Sequence, residues 1–123
     1  MHRVLIAEFA RRLGFSSVPD GKEGVIFFLP GLGKLELGIC EEQTDLIFCL
    51  SLPLPPFETE KLIVALRMCH PDRRHLFPIA CGYARDSLVL FSRQRIEGAS
   101  AALLENQAIF LLDCAKTLGY AGT

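Results

Sequence analysis

The sequence has no tryptophan, few charged residues and no excess of either sign of charge. Charged residues make up 22% of the chain, and thirteen Lys and Arg against fourteen Asp and Glu give a net charge of −1. Nucleic acids and anionic membranes are bound by basic surfaces, so this balance argues against both as partners. The chain also lacks an apolar run of about eighteen residues, and Glu8, Arg11 and Arg12 interrupt its opening segment. We therefore expect a cytoplasmic protein that binds other proteins.

The sequence lacks the residue spacings that metal sites and catalytic pairs require. It contains no CxxC and no HxxxH, and adjacent Cys69 and His70 would diverge by about 100° on a helix. Five cysteines lie at irregular spacings inside apolar stretches, which is typical of reduced thiols: Cys40, Cys49, Cys69, Cys81 and Cys114. We expect no bound metal, no cofactor and no enzymatic activity.

The stretch MCHPDRRH, residues 68–75, contains the HPD tripeptide that J-domain co-chaperones present to Hsp70. A J-domain is all helical, whereas here the strand-like sequence FPIACGYARDSLVLF follows. We therefore interpret the stretch as a helix end, with His70 near the negative end of the helix and Pro71 stopping it. Residues 72–74 are expected to form a solvated loop.

A second motif, PGLGK at residues 30–34, has a superficial likeness to a phosphate-binding loop. The Ser or Thr that should follow Lys34 is missing, and the chain enters a strand rather than a helix. We expect a hairpin turn at this position.

The apolar content is high, since hydrophobic residues make up 50% of 123 residues. A chain of this length forms one compact domain with a single core, so we expect one domain over residues 1–123. Such a small interior cannot hide so much apolar surface, and part of it is expected to face a partner.

Hydrophobic periodicity predicts the element order α-β-β-β-α-β-β-α. The fold class is α+β, an antiparallel twisted sheet with helices packed on it, in which 45–53 is a central strand and Arg85-Asp86 a tight turn. The predicted elements are helix 3–13, strands 24–30, 34–42 and 45–53, helix 57–69, strands 76–84 and 87–96, and helix 99–119.

The second predicted helix is apolar nearly all round, which is typical of a helix buried on two sides. Glu60 and Arg67 form a narrow polar seam. A single layer of helices over one sheet covers only one side, so we expect a second subunit to cover the other, unless the last helix does so within the monomer. One apolar arc is Leu62, Ile63, Leu66 and Cys69. The predicted dimer interface, on the other arc and the strand nearby, is Lys61, Val64, Ala65, Met68, Pro78 and Ile79.

The chain resembles the class I type III secretion chaperones of the Tir-chaperone type. The resemblance covers the full chain, from VLIAEFARRLG through DLIFCLSLPLP to SLVLFSRQRI and the last helix. It rests on element order, element lengths and apolar pattern, and is closest at the opening helix that ends in Leu13-Gly14 and at the strand-turn-strand before the last helix. It implies a cytoplasmic bacterial homodimer, built around the second helix, that serves virulence through type III secretion.

The resemblance also implies a function without chemistry. Such a dimer binds the N-terminal, non-globular segment of a secretion substrate in extended form and keeps it soluble and export-competent, by strand addition and apolar pockets. We place this surface on the first helix and first strand, and the alternative is that Phe9 and Phe27 are core residues. A second open alternative is a structural or regulatory subunit, such as a heterodimeric co-chaperone of a secretion gatekeeper or regulator. The predicted substrate-binding residues are Leu5, Ile6, Phe9, Leu13, Val25, Phe27 and Leu29.

Overall fold

The computed structural model describes residues 2–15, 24–40, 42, 44–70, 73 and 75–120. The observed order is α-β-β-β-α-β-β-α, so the predicted α+β fold and element order are confirmed. The elements are α1 (His2–Arg12), β1 (Gly24–Leu29), β2 (Gly33–Ile39), β3 (Asp45–Pro53), α2 (Thr59–Met68), β4 (Ala80–Ala84), β5 (Ser87–Arg95) and α3 (Ala101–Thr117).

The five strands form one antiparallel sheet in the order β1-β2-β3-β5-β4. The first three strands are a meander and β3 is central, as the sequence predicts. The hairpin turn expected at PGLGK is also present, because Leu29 pairs with Gly33. Gly33 is required there, since a Cβ atom at this position would lie 2.0 Å from the carbonyl oxygen of Ser51.

The turn between β4 and β5 is the predicted Arg85-Asp86 pair. Both residues have positive φ, 52° and 58°, which matches a two-residue hairpin turn whose twist suits the flanking strands. Beside the turn, the Leu54 amide donates to the carbonyl oxygen of Asp86 at 2.9 Å, and the Tyr83 hydroxyl donates to the carbonyl oxygen of Leu54 at 3.1 Å. These bonds tie the β4–β5 hairpin to the end of β3.

The helices pack on one side of the sheet, which we call the inner face. Phe9 of α1 lies in edge-to-face contact with Phe27 and Phe48, at 5.8 Å between ring centroids in each pair. α3 crosses the same side, where its buried Gln107 donates to Ser92 Oγ on β5. The core therefore lies between the inner face and the helices, with its largest fully buried side chains at Phe9, Phe48, Leu35, Leu37, Leu46, Leu50, Leu52, Leu54, Leu88, Leu90, Leu104 and Leu111.

Two predicted strands are shorter than expected: the one predicted at 34–42 ends at Ile39, and the one before the Arg85-Asp86 turn starts late. The sequence predicts strand 76–84, whereas β4 begins at Ala80. Pro78 cannot donate to a ladder, and its carbonyl oxygen instead accepts a 2.5 Å hydrogen bond from Ser92 Oγ. Phe77 is buried against Phe110, at 5.6 Å between ring centroids, so this segment packs as an irregular connection.

Candidate protein-binding surfaces

The sheet face opposite the helices, which we call the outer face, carries apolar side chains that no described element covers. On β1, the exposed residues Ile26 and Phe28 alternate with the buried residues Val25 and Phe27, so they point outward. The register places Ile26 in line with Glu36, Cys49 and Phe91, and Phe28 in line with Lys34, Ser51 and Val89. Phe28 is 71% exposed, which makes it the most exposed large apolar side chain of the sheet. The outer face is therefore a candidate binding surface.

Two ion pairs lie within the outer face. On β2, Lys34 Nζ is 3.4 Å from Glu36 Oε1. Arg93 Nη2 on β5 is 2.7 Å from Asp45 Oδ2 on β3. Exposed pairs of this kind add about 0–1 kcal/mol to stability, so their main effect is on the character of the surface. They place charges of both signs beside the apolar residues, and a partner segment on this face would meet apolar and polar positions alternately.

The structure corrects four of the seven predicted substrate-binding residues. Ile6, Phe9, Val25 and Phe27 are buried in the core and have no surface to offer a bound peptide. For Val25 and Phe27 the reason is strand alternation, because a shift of one residue moves a strand's side chains from one face to the other. Ile6 and Phe9 lie on the side of α1 that packs into the core. The outward residues of β1 are Ile26 and Phe28, which the sequence analysis missed.

The other three predicted residues are partly buried and pack against the core: Leu5, Leu13 and Leu29. Their role in binding stays a prediction. α1 does present one strongly exposed apolar side chain, Val4, which lies next to Leu5 on the helix.

The second helix also has an exposed apolar face, but it is not the predicted one. Ala65 is fully buried and belongs to the core, so it cannot lie in a dimer interface. Ile63, Val64 and Leu66 are exposed instead. A helix turns about 100° per residue, so burying Ala65 directs the residues on either side of it away from the core.

The remaining predicted interface residues have different surroundings. Met68 and Ile79 are partly buried and pack against the core, while Pro78 is exposed. Lys61 lies over the Tyr120 ring, 4.3 Å from its centroid, and its Nζ is 3.9 Å from Glu58. The place of these four residues and of Val64 in an interface stays a prediction, as does the dimer itself.

Two strongly exposed apolar residues lie near opposite ends of α2. Phe57, which is 82% exposed, comes two residues before the helix. Leu76 is also 82% exposed, and it lies near the far end because His75 Nε2 donates to the carbonyl oxygen of Met68 at 2.7 Å. The His75 ring also contacts Phe110 on α3, at 5.7 Å between centroids. Leu76 is therefore exposed on a segment that its neighbours hold in place.

A series of buried hydrogen bonds also holds the same segment, through Pro78. Gln107 Nε2 donates to Ser92 Oγ at 2.7 Å and to the carbonyl oxygen of Arg93 at 3.0 Å. Ser92 Oγ in turn donates to the carbonyl oxygen of Pro78. Gln107 Oε1 is buried with no hydrogen-bond partner among the described residues. This series of hydrogen bonds links α3, β5 and the connection before β4, so it positions Pro78 relative to α3 and β5.

In the described part of the MCHPDRRH stretch, the Cys69 thiol is partly buried near the thiols of Cys81 and Cys114. Burial, with the neighbouring Cys81 thiol, raises the pKa of Cys69 to about 12, and burial raises the pKa of Cys114 to about 11. High thiol pKa values oppose both metal binding and nucleophilic attack. Among the described residues, no three His, Cys, Asp or Glu side chains lie close enough to hold a metal ion. The predicted roles of Pro71, Asp72 and Arg74 lie outside the described residues.

Solved structures with this fold include a type III secretion chaperone and the chaperone of a chaperone–effector complex. The Yersinia pestis type III secretion chaperone SycH, solved in complex with a stable fragment of YscM2, matches with a TM-score of 0.73 and 20% identity over 97% of this chain and 100% of its own. SchA, from the HopA1–SchA chaperone–effector complex, matches with a TM-score of 0.70 and 15% identity over 98% and 94% of the two chains.

The same fold occurs outside secretion chaperones. YbjN from E. coli, a candidate transcription regulator, matches with a TM-score of 0.54 and 11% identity over 92% of this chain and 82% of its own. No protein-family model and no curated protein sequence matches the chain. At these identities the comparisons establish the fold alone, which this chain shares with SycH, SchA and YbjN. No helix in the described part of the chain is long and apolar enough to cross a membrane.

Proposed function

We propose that this protein is a cytoplasmic, dimeric, non-enzymatic chaperone for a type III secretion substrate. It binds the N-terminal non-globular segment of the substrate in extended form and keeps that segment soluble and export-competent. The observation that carries the proposal is the apolar outer face beside an open strand edge, on a fold that SycH and SchA share. The partner is a secreted effector or gatekeeper protein.

The physical basis is strand addition at β1. In the described chain β1 pairs only with β2, so the backbone groups along its other edge are available to an incoming strand. A strand added there continues the sheet, and every second side chain of it lies on the outer face beside Ile26 and Phe28. Backbone hydrogen bonds would provide affinity, and the apolar side chains would provide selectivity.

The proposed mechanism explains why an extended segment is kept soluble. A non-globular substrate segment with apolar side chains at alternate positions would otherwise aggregate, because its edges and side chains are both exposed. On β1 one edge is paired and one row of side chains is covered. The chaperone needs no nucleotide or metal for this, since binding alone shields the segment.

The proposal is tested by co-expressing the chain with the products of neighbouring genes and purifying the complex through one tag. A secretion substrate should co-purify, and its N-terminal segment should be sufficient for binding. The Phe28→Asp variant should remain folded and lose that partner. A folded Phe28→Asp protein that retains full binding would contradict the outer face as the site.

A second candidate function is that of a structural or regulatory subunit that seats α2 against a different protein. The exposed residues Ile63, Val64 and Leu66 favour it, since an apolar helix face of this kind is typical of a protein-binding surface. YbjN also shares the fold without being described as a secretion chaperone. The nature of the α2 partner separates the two functions.

A further inference from the structure

Three of the five cysteines come together where the end of α2 meets β4 and α3. Cys69 is the C-cap of α2, and its amide donates to the carbonyl oxygen of Ala65 at 3.0 Å. Cys81 lies on β4 opposite Leu90, a fully buried residue of the inner face, so the Cys81 side chain faces the same core. Cys114 is buried on α3, which packs on this face. The three thiols therefore come from three different elements.

Two of the three thiols are direct neighbours. The Cys69 thiol is in hydrogen-bonding contact with the Cys81 thiol, whereas Cys114 has only an electrostatic effect on Cys69. The contact is possible because α2 lies beside β4. Cys69 and Cys81 are each half-buried, while Cys114 is buried. A small oxidant dissolved in water therefore reaches the first two thiols more readily than the third.

We propose that Cys69 and Cys81 form a redox-sensitive pair, which hydrogen peroxide converts to a disulfide. The bridge joins the C-terminal end of α2 to β4. The pair is remote from the proposed substrate site, because β4 and β1 lie at opposite edges of the sheet. Oxidation can therefore be studied without altering the strand edge at which a substrate segment would bind.

The reaction has two balanced steps. In the first, the sulfur of Cys81 attacks peroxide, an S–O bond forms, the O–O bond breaks, and hydroxide leaves with the thiol proton as water. In the second, the sulfur of Cys69 attacks the sulfenic acid of Cys81. An S–S bond forms, the S–O bond breaks, and the departing hydroxide takes the Cys69 proton as water. The two thiols lose two electrons in total, and one peroxide is reduced to two molecules of water.

The surroundings of Cys69 assign it to the second step. Burial and the Cys81 thiol raise the pKa of Cys69 to about 12, so this thiol is protonated at neutral pH and slow toward reagents in solution. The sulfenic acid forms beside it, and the departing hydroxide accepts its proton. Attack within a contact that already exists needs no encounter in solution, which compensates for the low fraction of thiolate.

The bridge closes a loop over residues 69–81. Hydrogen bonds already hold this loop in the reduced protein, from His75 Nε2 to the carbonyl oxygen of Met68 at 2.7 Å and from Ser92 Oγ to the carbonyl oxygen of Pro78. A disulfide between groups that are already in contact restricts mainly the unfolded chain. The oxidised protein should therefore resist urea better than the reduced protein. Thiol reductants of the kind found in the cytoplasm should reverse the change.

Peptide mapping of the full-length protein after treatment with hydrogen peroxide tests the pair. Trypsin places Cys69 in the peptide of residues 68–73, Cys81 in that of residues 75–85 and Cys114 in that of residues 96–116. Peroxide should link the first two peptides, and dithiothreitol should separate them. The link should be lost in Cys81→Ala and retained in Cys114→Ala, which is the matched control at the third thiol.

Urea denaturation followed by circular dichroism measures the effect on the fold. The urea midpoint of the wild type should shift upward on oxidation, and that of Cys81→Ala should not. Cys69→Ala, at the helix cap, gives the same readout if Cys81→Ala does not fold. The proposal is overturned if Cys69 and Cys81 stay unlinked in the folded protein, if Cys81 links to Cys114 instead, or if a complete bridge leaves the midpoint unchanged.

Discussion

Phe27 and Phe28 are neighbours on β1 with opposite surroundings. Phe27 is 3% exposed and lies in the core against Phe9 and Phe15, while Phe28 is 71% exposed on the outer face. The same residue type thus serves two purposes one position apart. On the inner face a phenylalanine stabilises the fold, and on the outer face it forms part of a candidate binding surface. The comparison extends to the whole sheet, whose two faces are a core and a candidate binding surface.

The largest expected effect is the loss of a core phenylalanine. Phe9→Ala should lower the free energy of unfolding by about 3–5 kcal/mol, because it removes ring contacts with Phe27 and Phe48 and leaves a cavity. Chemical denaturation followed by circular dichroism measures this. A loss below about 1 kcal/mol would mean that α1 does not pack as described.

Smaller effects on stability are expected from substitutions on the two sides of α2. Ala65→Leu adds volume to a fully buried position and should cost about 1–3 kcal/mol of stability. Leu66→Ser, on the exposed side one residue later, should change stability by less than about 0.5 kcal/mol while weakening self-association. Equal destabilisation by the two variants would show that the helix is rotated from the described position.

A substitution on the outer face should affect substrate binding rather than stability. Phe28→Ser should leave the free energy of unfolding within about 0.5 kcal/mol of the wild type, because the side chain is already in water. It should weaken binding of the secretion substrate by about 1–3 kcal/mol if Phe28 anchors the peptide. Phe27→Ser is the matched control, since it should unfold the protein and abolish binding together. Isothermal titration beside denaturation measures both.

The smallest effect concerns thiol reactivity. Hydrogen bonds from the Thr44 hydroxyl and the Asp45 amide lower the pKa of Cys40, whereas burial raises the pKa of Cys69 to about 12. Only thiolates react with alkylating reagents, so the rate for Cys40 should rise at a lower pH than that of a free cysteine. Cys69 should react slowly throughout the range from pH 7 to 9. Mass spectrometry of partly alkylated protein measures the two rates. Faster alkylation of Cys69 than of Cys40 would show that Cys69 is not buried as described.

The sequence was sufficient for the element order, the central strand and both hairpin turns, because these depend on local pattern. The sequence also contains enough information to predict which side chains of β1 face the core. The dry positions Leu35 and Leu37 and the turn at PGLGK, both recognised, together set the β1–β2 register and place Phe27 opposite Leu35. This register contradicts the prediction that Val25 and Phe27 line a binding surface.

The orientation of α2 could not be predicted in the same way. Its side chains are apolar on most sides, so periodicity does not indicate which side meets the core. The structure resolves this through Ala65, whose small side chain lies at the buried contact, opposite the seam of Glu60 and Arg67. The polar seam was the available signal, because unpaired charges mark the side that faces away from the core. The long-range hydrogen bonds that hold the segment before β4, from His75 to Met68 and from Ser92 to Pro78, have no local sequence signature.

The most direct test of the proposed function is hydrogen–deuterium exchange of the chain with and without its co-purified substrate segment. Strand addition predicts slower exchange at the β1 amides, residues 24–29, and an unchanged rate in the interior of α3. The Phe28→Asp variant, mixed with the same segment, should show no such protection. A tight complex in which β1 exchanges as fast as in the free protein would contradict binding of an extended segment at this edge.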